Sequence, residues 1–401
     1  MLFKVVDWIC YRLANAIMFL LSLWPRRNEY DFSPSKGKKH VLVVANDLLG
    51  DALVRMPFYV ALRRAFPSET HHIAVMLTPP IANFFSRLPF FDEIIVSRHL
   101  CCAHFIRWIF SRRQFLDSSL RWALVHRIDI YLNPFRFRSL GHDHILKLTK
   151  PSVSIAYETL DQARIFPASA ECQKRRFDSL YTHLLPIMPN ASQVDEMYKM
   201  LSFAAPGACT GLVPVSPKEV EPILDFSVEA TLARPYVVIV PGAGADYRRW
   251  PVERFAQVAC RLGANVVVVG TAAEAKLGDK IPNAVNLCGK TSLSKLGGIL
   301  AGASLVITNE TGTATYAAVI GARTLCLVGG GDFKAFFPND FYKNTRSIYH
   351  FTPCFSCRWS CSQTSLSNSV APCIDSIGVD EVYAAAKEML GESRRTIKGN
   401  V

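Results

Sequence analysis

Short apolar runs alternate with stretches of helical periodicity in two separate series along this chain. In the first, Val41–Ala45, Ile73–Leu77, Glu93–Val96 and Ala123–Ile130 read as strands and Ala52–Phe66 as a helix. In the second, Val237–Val240, Val266–Gly270, Leu305–Thr308 and Thr324–Val328 read as strands. Helices are expected between them at Val252–Leu262, Leu293–Ala301 and Thr313–Ile320. Strands that alternate with crossover helices run parallel, and their sheet is covered on both faces. The pattern therefore predicts an α/β chain with two open sheets in series, facing across a cleft. Its 401 residues, half of them apolar, suffice for two cores. A Pro- and Gly-rich stretch separates the series. The expected organisation is a terminal helix at 1–27, a linker at 28–39 and a first domain at 40–205. An inter-domain linker at 206–235, a second domain at 236–377 and a terminal helix and tail at 378–401 follow. The helix Val379–Leu390 is expected to pack back across the cleft.

The formal net charge of +12 favours anionic partners. No nucleic-acid motif accompanies it, so nucleic acid is excluded and the charge points to phosphates and a membrane surface. Met1–Trp24 is apolar but interrupted by Lys4, Asp7 and Arg12, and its clean run is too short to span a bilayer. Lys4, Asp7, Tyr11, Asn15 and Ser22 share one helical stripe, and Arg26 and Arg27 follow. That pattern predicts a helix lying in the membrane interface; a buried terminal helix is the alternative. Eight arginines against two aspartates between Arg98 and Arg138, interleaved with aromatics, form either an anion-facing patch or an ordinary solvated surface. The cysteines, mostly in apolar runs, suit a reducing cytoplasm.

Four strings carry chemistry. Asp47-Leu48-Leu49-Gly50-Asp51 joins a strand to a helix, so Asp51 lies where open sheets bind ligands. A helix-cap role explains Asp51 equally well. Pro241-Gly242-Ala243-Gly244, followed by Arg248-Arg249-Trp250-Pro251, offers backbone N–H groups and a guanidinium, which suit a diphosphate. Gly270-Thr271-Ala272-Ala273-Glu274 follows a strand; Glu274 either accepts from ribose hydroxyls or merely starts a helix. Thr308-Asn309-Glu310-Thr311-Gly312-Thr313-Ala314 makes an anion site at a helix N-terminus. Near the C-terminus, Cys354, Cys357, Cys361 and Cys373 form either a metal set or a reduced structural loop; their spacing lacks paired zinc knuckles, and no metal is expected.

In this order and spacing the four strings resemble the bacterial heptosyltransferases of lipopolysaccharide core assembly, glycosyltransferase family nine. Asn286-Leu287-Cys288-Gly289-Lys290-Thr291-Ser292-Leu293 adds to the likeness. The resemblance covers most of Val41 to Ile377, more strongly in the second half. It implies a GT-B fold of two Rossmann-like domains, with a nucleotide-sugar donor on the C-terminal one. The N-terminal one would hold a lipid-linked saccharide acceptor. It also implies inversion at the anomeric carbon without a catalytic metal or other cofactor. The expected site is Asp51 as general base and Asp47 and Gly50 on the acceptor side. Gly242, Ala243, Gly244, Arg248, Glu274, Glu310, Thr311, Gly312 and Thr313 are expected on the donor side. The enzyme is expected in the cytoplasm, peripheral on the inner face of the membrane.

The chain departs from the family pattern at four positions. Ala45 stands where Arg is frequent, Glu310 where Asp is usual, Arg248 where Lys is found and Thr315 where His is found. These departures keep two alternatives open: a GT-B transferase with another donor such as a UDP-sugar, and a catalytically silent membrane-bound relative.

Overall fold

The computed structural model describes residues 37–45, 49–97, 118–135, 140–158, 178–187, 191–208, 211–362 and 370–398. The interfacial helix, the start of the linker, Asp47 and most of the arginine-rich stretch lie outside them. Among the described residues no helix is long and apolar enough to cross a membrane.

The chain divides into two compact units, each carrying one sheet. The first contains β1 (Lys39–Ala45), β2 (His71–Leu77), β3 (Glu93–Val96), β4 (Ile130–Asn133), β5 (Val153–Tyr157) and β6 (His183–Leu185), in the order β3-β2-β1-β4-β5-β6. The second contains β7 (Tyr236–Val240), β8 (Asn265–Val268), β9 (Val285–Asn286), β10 (Leu305–Asn309), β11 (Thr324–Leu327) and β12 (Thr345–Ile348), in the order β12-β11-β10-β7-β8-β9. Every pairing is parallel. Counted within its own unit, each sheet has the doubly wound order 3-2-1-4-5-6, which reverses between its first and fourth strands. Both cores form where the strand interiors meet covering helices: Leu42, Met76, Tyr131 and Ile145 in one, Ile239, Phe255, Ile307 and Leu325 in the other.

Two expectations about the first series are corrected. The helix expected over Ala52–Phe66 is two helices, α1 (Leu49–Val54) and α2 (Met56–Ala65). Pro57 accounts for the break, because it has no N–H to donate to the carbonyl one turn back and so cannot continue the α1 ladder. The strand expected over Ala123–Ile130 is the end of a helix (Ser118–Val125) and the start of β4. Leu120 and Ala123 are buried three residues apart, and His126 stacks on Trp122 at 4.1 Å, one helical turn back.

In the second unit α3 (Val252–Leu262), α4 (Leu293–Gly302) and α5 (Gly312–Val319) cover the sheet. The last helix, α6, runs from Val379 to Lys398. It buries Val382, Ala385, Ala386 and Met389 in the second unit's own core, beside α3. The segment Leu49–Pro57 also groups with the second unit, where α1 packs on α5.

Candidate active site

The loops after β7 and β10 meet at the reversal point of the second sheet, and Asn309, the last residue of β10, joins them. Its Nδ2 donates to the carbonyls of Pro241 (2.9 Å) and Gly242 (3.1 Å), while its Oδ1 accepts from the Trp250 backbone N–H at 3.0 Å. Asn309 is fully buried, so all three bonds form away from solvent. Trp250 is buried too; its Nε1 donates to the Ile377 carbonyl at 2.9 Å and its ring meets Phe255 edge-on. Arg249 donates to the Ala243 carbonyl at 3.3 Å and pairs with Asp246 at 2.5 Å. The Pro241–Gly244 loop and the Arg248-Arg249-Trp250 string, the two ends of one connection between β7 and α3, are thereby set as one piece.

Arg248 ends a short 3-10 turn, Asp246–Arg248. Its guanidinium lies 4.7 Å from the centre of the Trp359 ring, and among the described residues it makes no hydrogen bond or ion pair. Its Nε is buried without a partner. An arginine held by stacking keeps its N–H donors for a ligand. Glu310 lies close enough to feel this charge. Burial pushes its carboxyl up to about 8, against the pull of Arg248, with Asp332 adding to the rise. Both Glu310 carboxyl oxygens are buried, and the Phe337 backbone N–H offsets only part of the cost of that burial. Glu310 is therefore a neutral acid through much of the physiological range.

Thr311 caps α5: its hydroxyl accepts from the Ala314 N–H at 3.3 Å. The helix begins at Gly312 and Thr313, placing N–H groups and the positive end of its dipole at this loop. Thr315 is 2% exposed and donates to the Thr311 carbonyl at 3.4 Å, so it braces the turn.

Glu274 is half committed to local structure. Its Oε2 accepts from the Thr271 N–H at 2.7 Å and the Thr271 hydroxyl at 3.0 Å, closing a capping box. Its Oε1 makes no hydrogen bond among the described residues. The carboxylate lies directly over Gly242, where a Cβ would overlap it. The helix-start reading accounts for one carboxylate oxygen, and the other is left without a hydrogen bond among the described residues.

Asp51 lies in the first turn of α1, which begins at Leu49, so it does not cap that helix. Gly50 rests on Gly312: a Cβ on Gly50 would stand 3.0 Å from Gly312 Cα, and one on Gly312 would stand 3.1 Å from Gly50 N. No side chain fits between these helices, and this close approach sets the turn carrying Asp51 beside the N-terminus of α5.

The cysteines are only partly grouped. Cys354 and Cys361 bring their Sγ atoms to 3.8 Å, while Cys373 Sγ accepts from the Gly330 N–H at 3.3 Å. The Thr352 hydroxyl helps lower the Cys354 thiol below its ordinary value, and burial raises Cys357 and Cys373. Among the described residues no three His, Cys, Asp or Glu are placed to hold a metal ion.

Sequence reasoning missed Asn309 as the tie between loops, and it missed Trp359 and Asp332 altogether. Asn309 stood inside a string already singled out, and an Asn closing a buried strand is a usable signal. Trp359 carries none, since its partner Arg248 is more than a hundred residues away.

Comparison with known proteins places these features. Residues 214–360 match the description of glycosyltransferase family 9 (heptosyltransferase). Lipooligosaccharide heptosyltransferase 2 of Haemophilus influenzae is 29% identical over 127 residues, 28% of this chain and 37% of that protein, so the match spans little more than a third of the relative. E. coli ADP-heptose LPS heptosyltransferase II superposes with a TM-score of 0.62 at 17% identity, over 88% of this chain and 99% of that one. An E. coli heptosyltransferase solved with ADP gives 0.60 at 16% identity, over 87% and 99%. At such identities the structural likeness speaks for the fold, which is of the GT-B class.

Proposed function

We propose that this chain is a member of glycosyltransferase family 9 (heptosyltransferase), whose model matches residues 214–360, and that it transfers a sugar from a nucleotide-sugar donor to a saccharide acceptor. The donor we infer is ADP-heptose, the acceptor a lipid-linked saccharide such as lipopolysaccharide core, and the outcome inversion at the anomeric carbon. The observation that carries this reading is Arg248, whose guanidinium lies over the Trp359 ring with no partner among the described residues, next in sequence to Arg249, which donates to the Ala243 carbonyl of the Pro241–Gly244 loop. A guanidinium, backbone N–H groups and a helix N-terminus converging at a sheet reversal point suit a diphosphate. The ADP-bound E. coli neighbour supports adenine as the base.

In the proposed reaction Asp51 accepts the proton of the attacking hydroxyl. Arg248 and the N–H groups of Gly242–Gly244 and Gly312–Thr313 receive charge as the nucleoside diphosphate leaves. Glu310 and the free oxygen of Glu274 orient sugar and ribose. Neutral Glu310 can donate a hydrogen bond to a sugar oxygen, as an ionised carboxylate cannot. The net charge of +12 and the amphipathic start of the sequence support action at the inner face of the cytoplasmic membrane.

A thermal-shift panel of nucleotides tests the donor, because a ligand bound only by the folded state raises the melting temperature. ADP is expected to raise it and UDP is not. A rise with UDP alone moves the assignment to a UDP-sugar, and no rise with any nucleotide favours a catalytically silent relative.

A further inference from the structure

We propose that Trp359 is a positioning residue for Arg248: its indole face holds the guanidinium in the diphosphate-binding pose without consuming any of its hydrogen-bond donors. This inference rests on the assignment of Arg248 to the donor diphosphate. An anion-binding arginine poses a design problem. Left free, its side chain loses rotamer entropy on meeting a ligand; pinned by a carboxylate, it brings a competitor for the ligand's charge. A ring stacked on the guanidinium fixes its plane and leaves its N–H edge open.

The surroundings of Trp359 are built for this task. The indole is fixed at its far edge, where Nε1 donates to Asp332 Oδ2 at 2.8 Å. Its ring lies on Gly331 and Gly329, at both of which a Cβ would collide with it. The backbone around it is pinned to the same glycine run: the Ser356 N–H donates to Gly330 O at 2.7 Å and the Arg358 N–H to Gly331 O at 2.9 Å. Tyr247, the neighbour of Arg248, packs on Trp359 at 5.5 Å. Ser356, Arg358 and Trp359 all have positive φ, of 66°, 50° and 61°. For a bulky side chain that conformation is unfavourable and persists only where surrounding contacts enforce it. The return is an aromatic face presented to Arg248.

The test compares Trp359→Leu, Trp359→Phe, Arg248→Ala and the Trp359→Leu/Arg248→Ala double variant in the full chain. The probes are ADP and adenosine. Trp359→Leu is expected to weaken ADP binding by roughly three- to thirty-fold, the range of a partly desolvated cation–π contact. Adenosine binding should be unchanged, and Trp359→Phe, which keeps a face but loses the Asp332 bond, should recover much of the loss. In the Arg248→Ala background, Trp359→Leu should weaken ADP no further. An equal ADP loss in both backgrounds, or an equal loss for adenosine, overturns the proposal. A second readout needs no nucleotide: modification of Arg248 by phenylglyoxal, located by mass spectrometry, should be faster in Trp359→Leu than in wild type. Unchanged modification overturns the stacking role even if ADP binds. Faster modification in a protein that binds no nucleoside diphosphate leaves the stacking role standing and removes the donor assignment instead.

Discussion

Asn309 Oδ1 accepts the backbone N–H of Trp250 at 3.0 Å, while the same side chain donates to the carbonyls of Pro241 and Gly242. One carboxamide thus satisfies three buried backbone groups at the two ends of the β7–α3 connection. Asn309→Ala strands all three, and each buried orphan costs about 1–3 kcal/mol. Urea unfolding of this variant is expected to show a loss of at least about 2 kcal/mol, with ADP affinity falling as the loops separate. A variant as stable as wild type would show that solvent replaces the carboxamide.

Asp51→Asn tests the proposed base. Because Asp51 lies inside the first turn of α1, the substitution removes only its interaction with the helix dipole, about 0.3–1 kcal/mol. The chemical step, followed by single turnover, should slow by about two to four orders of magnitude, with ADP affinity unchanged. Turnover at the wild-type rate would move the base elsewhere.

Arg248→Ala should separate phosphate from base recognition. Calorimetric titration is expected to show ADP weakened by about 1.5–3 kcal/mol, the worth of a hydrogen bond to a charged group. Adenosine should bind as it does to wild type; an equal loss for both would remove the diphosphate assignment.

Glu310 makes stability depend on pH in a direction opposite to that of most carboxylates. Burial raises it to about 8 from an ordinary 4.5, so the folded chain retains a proton that the unfolded chain releases. Its contribution is complete below about pH 4.5 and is lost as pH rises through about 8. Glu310→Gln removes that loss. Denaturant unfolding at pH 5, 6.5 and 8 should show the variant gaining on wild type as pH rises, by a few kcal/mol in order of magnitude. Parallel profiles would mean that Glu310 ionises in place.

The second sheet was readable from sequence because strands buried on both faces leave unbroken apolar runs. Val237–Val240 and Leu305–Thr308 each fall one residue short of the observed strand. Ala123–Ile130 was misread because a short apolar run does not declare its period, and the stacking of His126 on Trp122 that marks it as helical is a contact between side chains. The Gly242 loop and the Arg248 string were visible as local patterns. Their tie through Asn309 spans 67 residues from Gly242, and the bracing of Arg248 by Trp359 is more distant still, beyond the reach of local spacing.

The reversal of strand order in the second sheet bears on how the chain is made. β7 pairs with β8 on one side and β10 on the other. The ribosome must deliver the 64 residues from Pro241 to Ser304 before β10 begins. At about 5–20 residues per second, that interval lasts roughly 3–13 seconds. Throughout it Tyr236-Val237-Val238-Ile239-Val240 is an unprotected edge, rich in β-branched residues and without charge. The nascent chain is most prone to pair with a neighbouring copy in that interval, and slowing synthesis between β9 and β10 would lengthen the exposure without changing one residue of the finished protein.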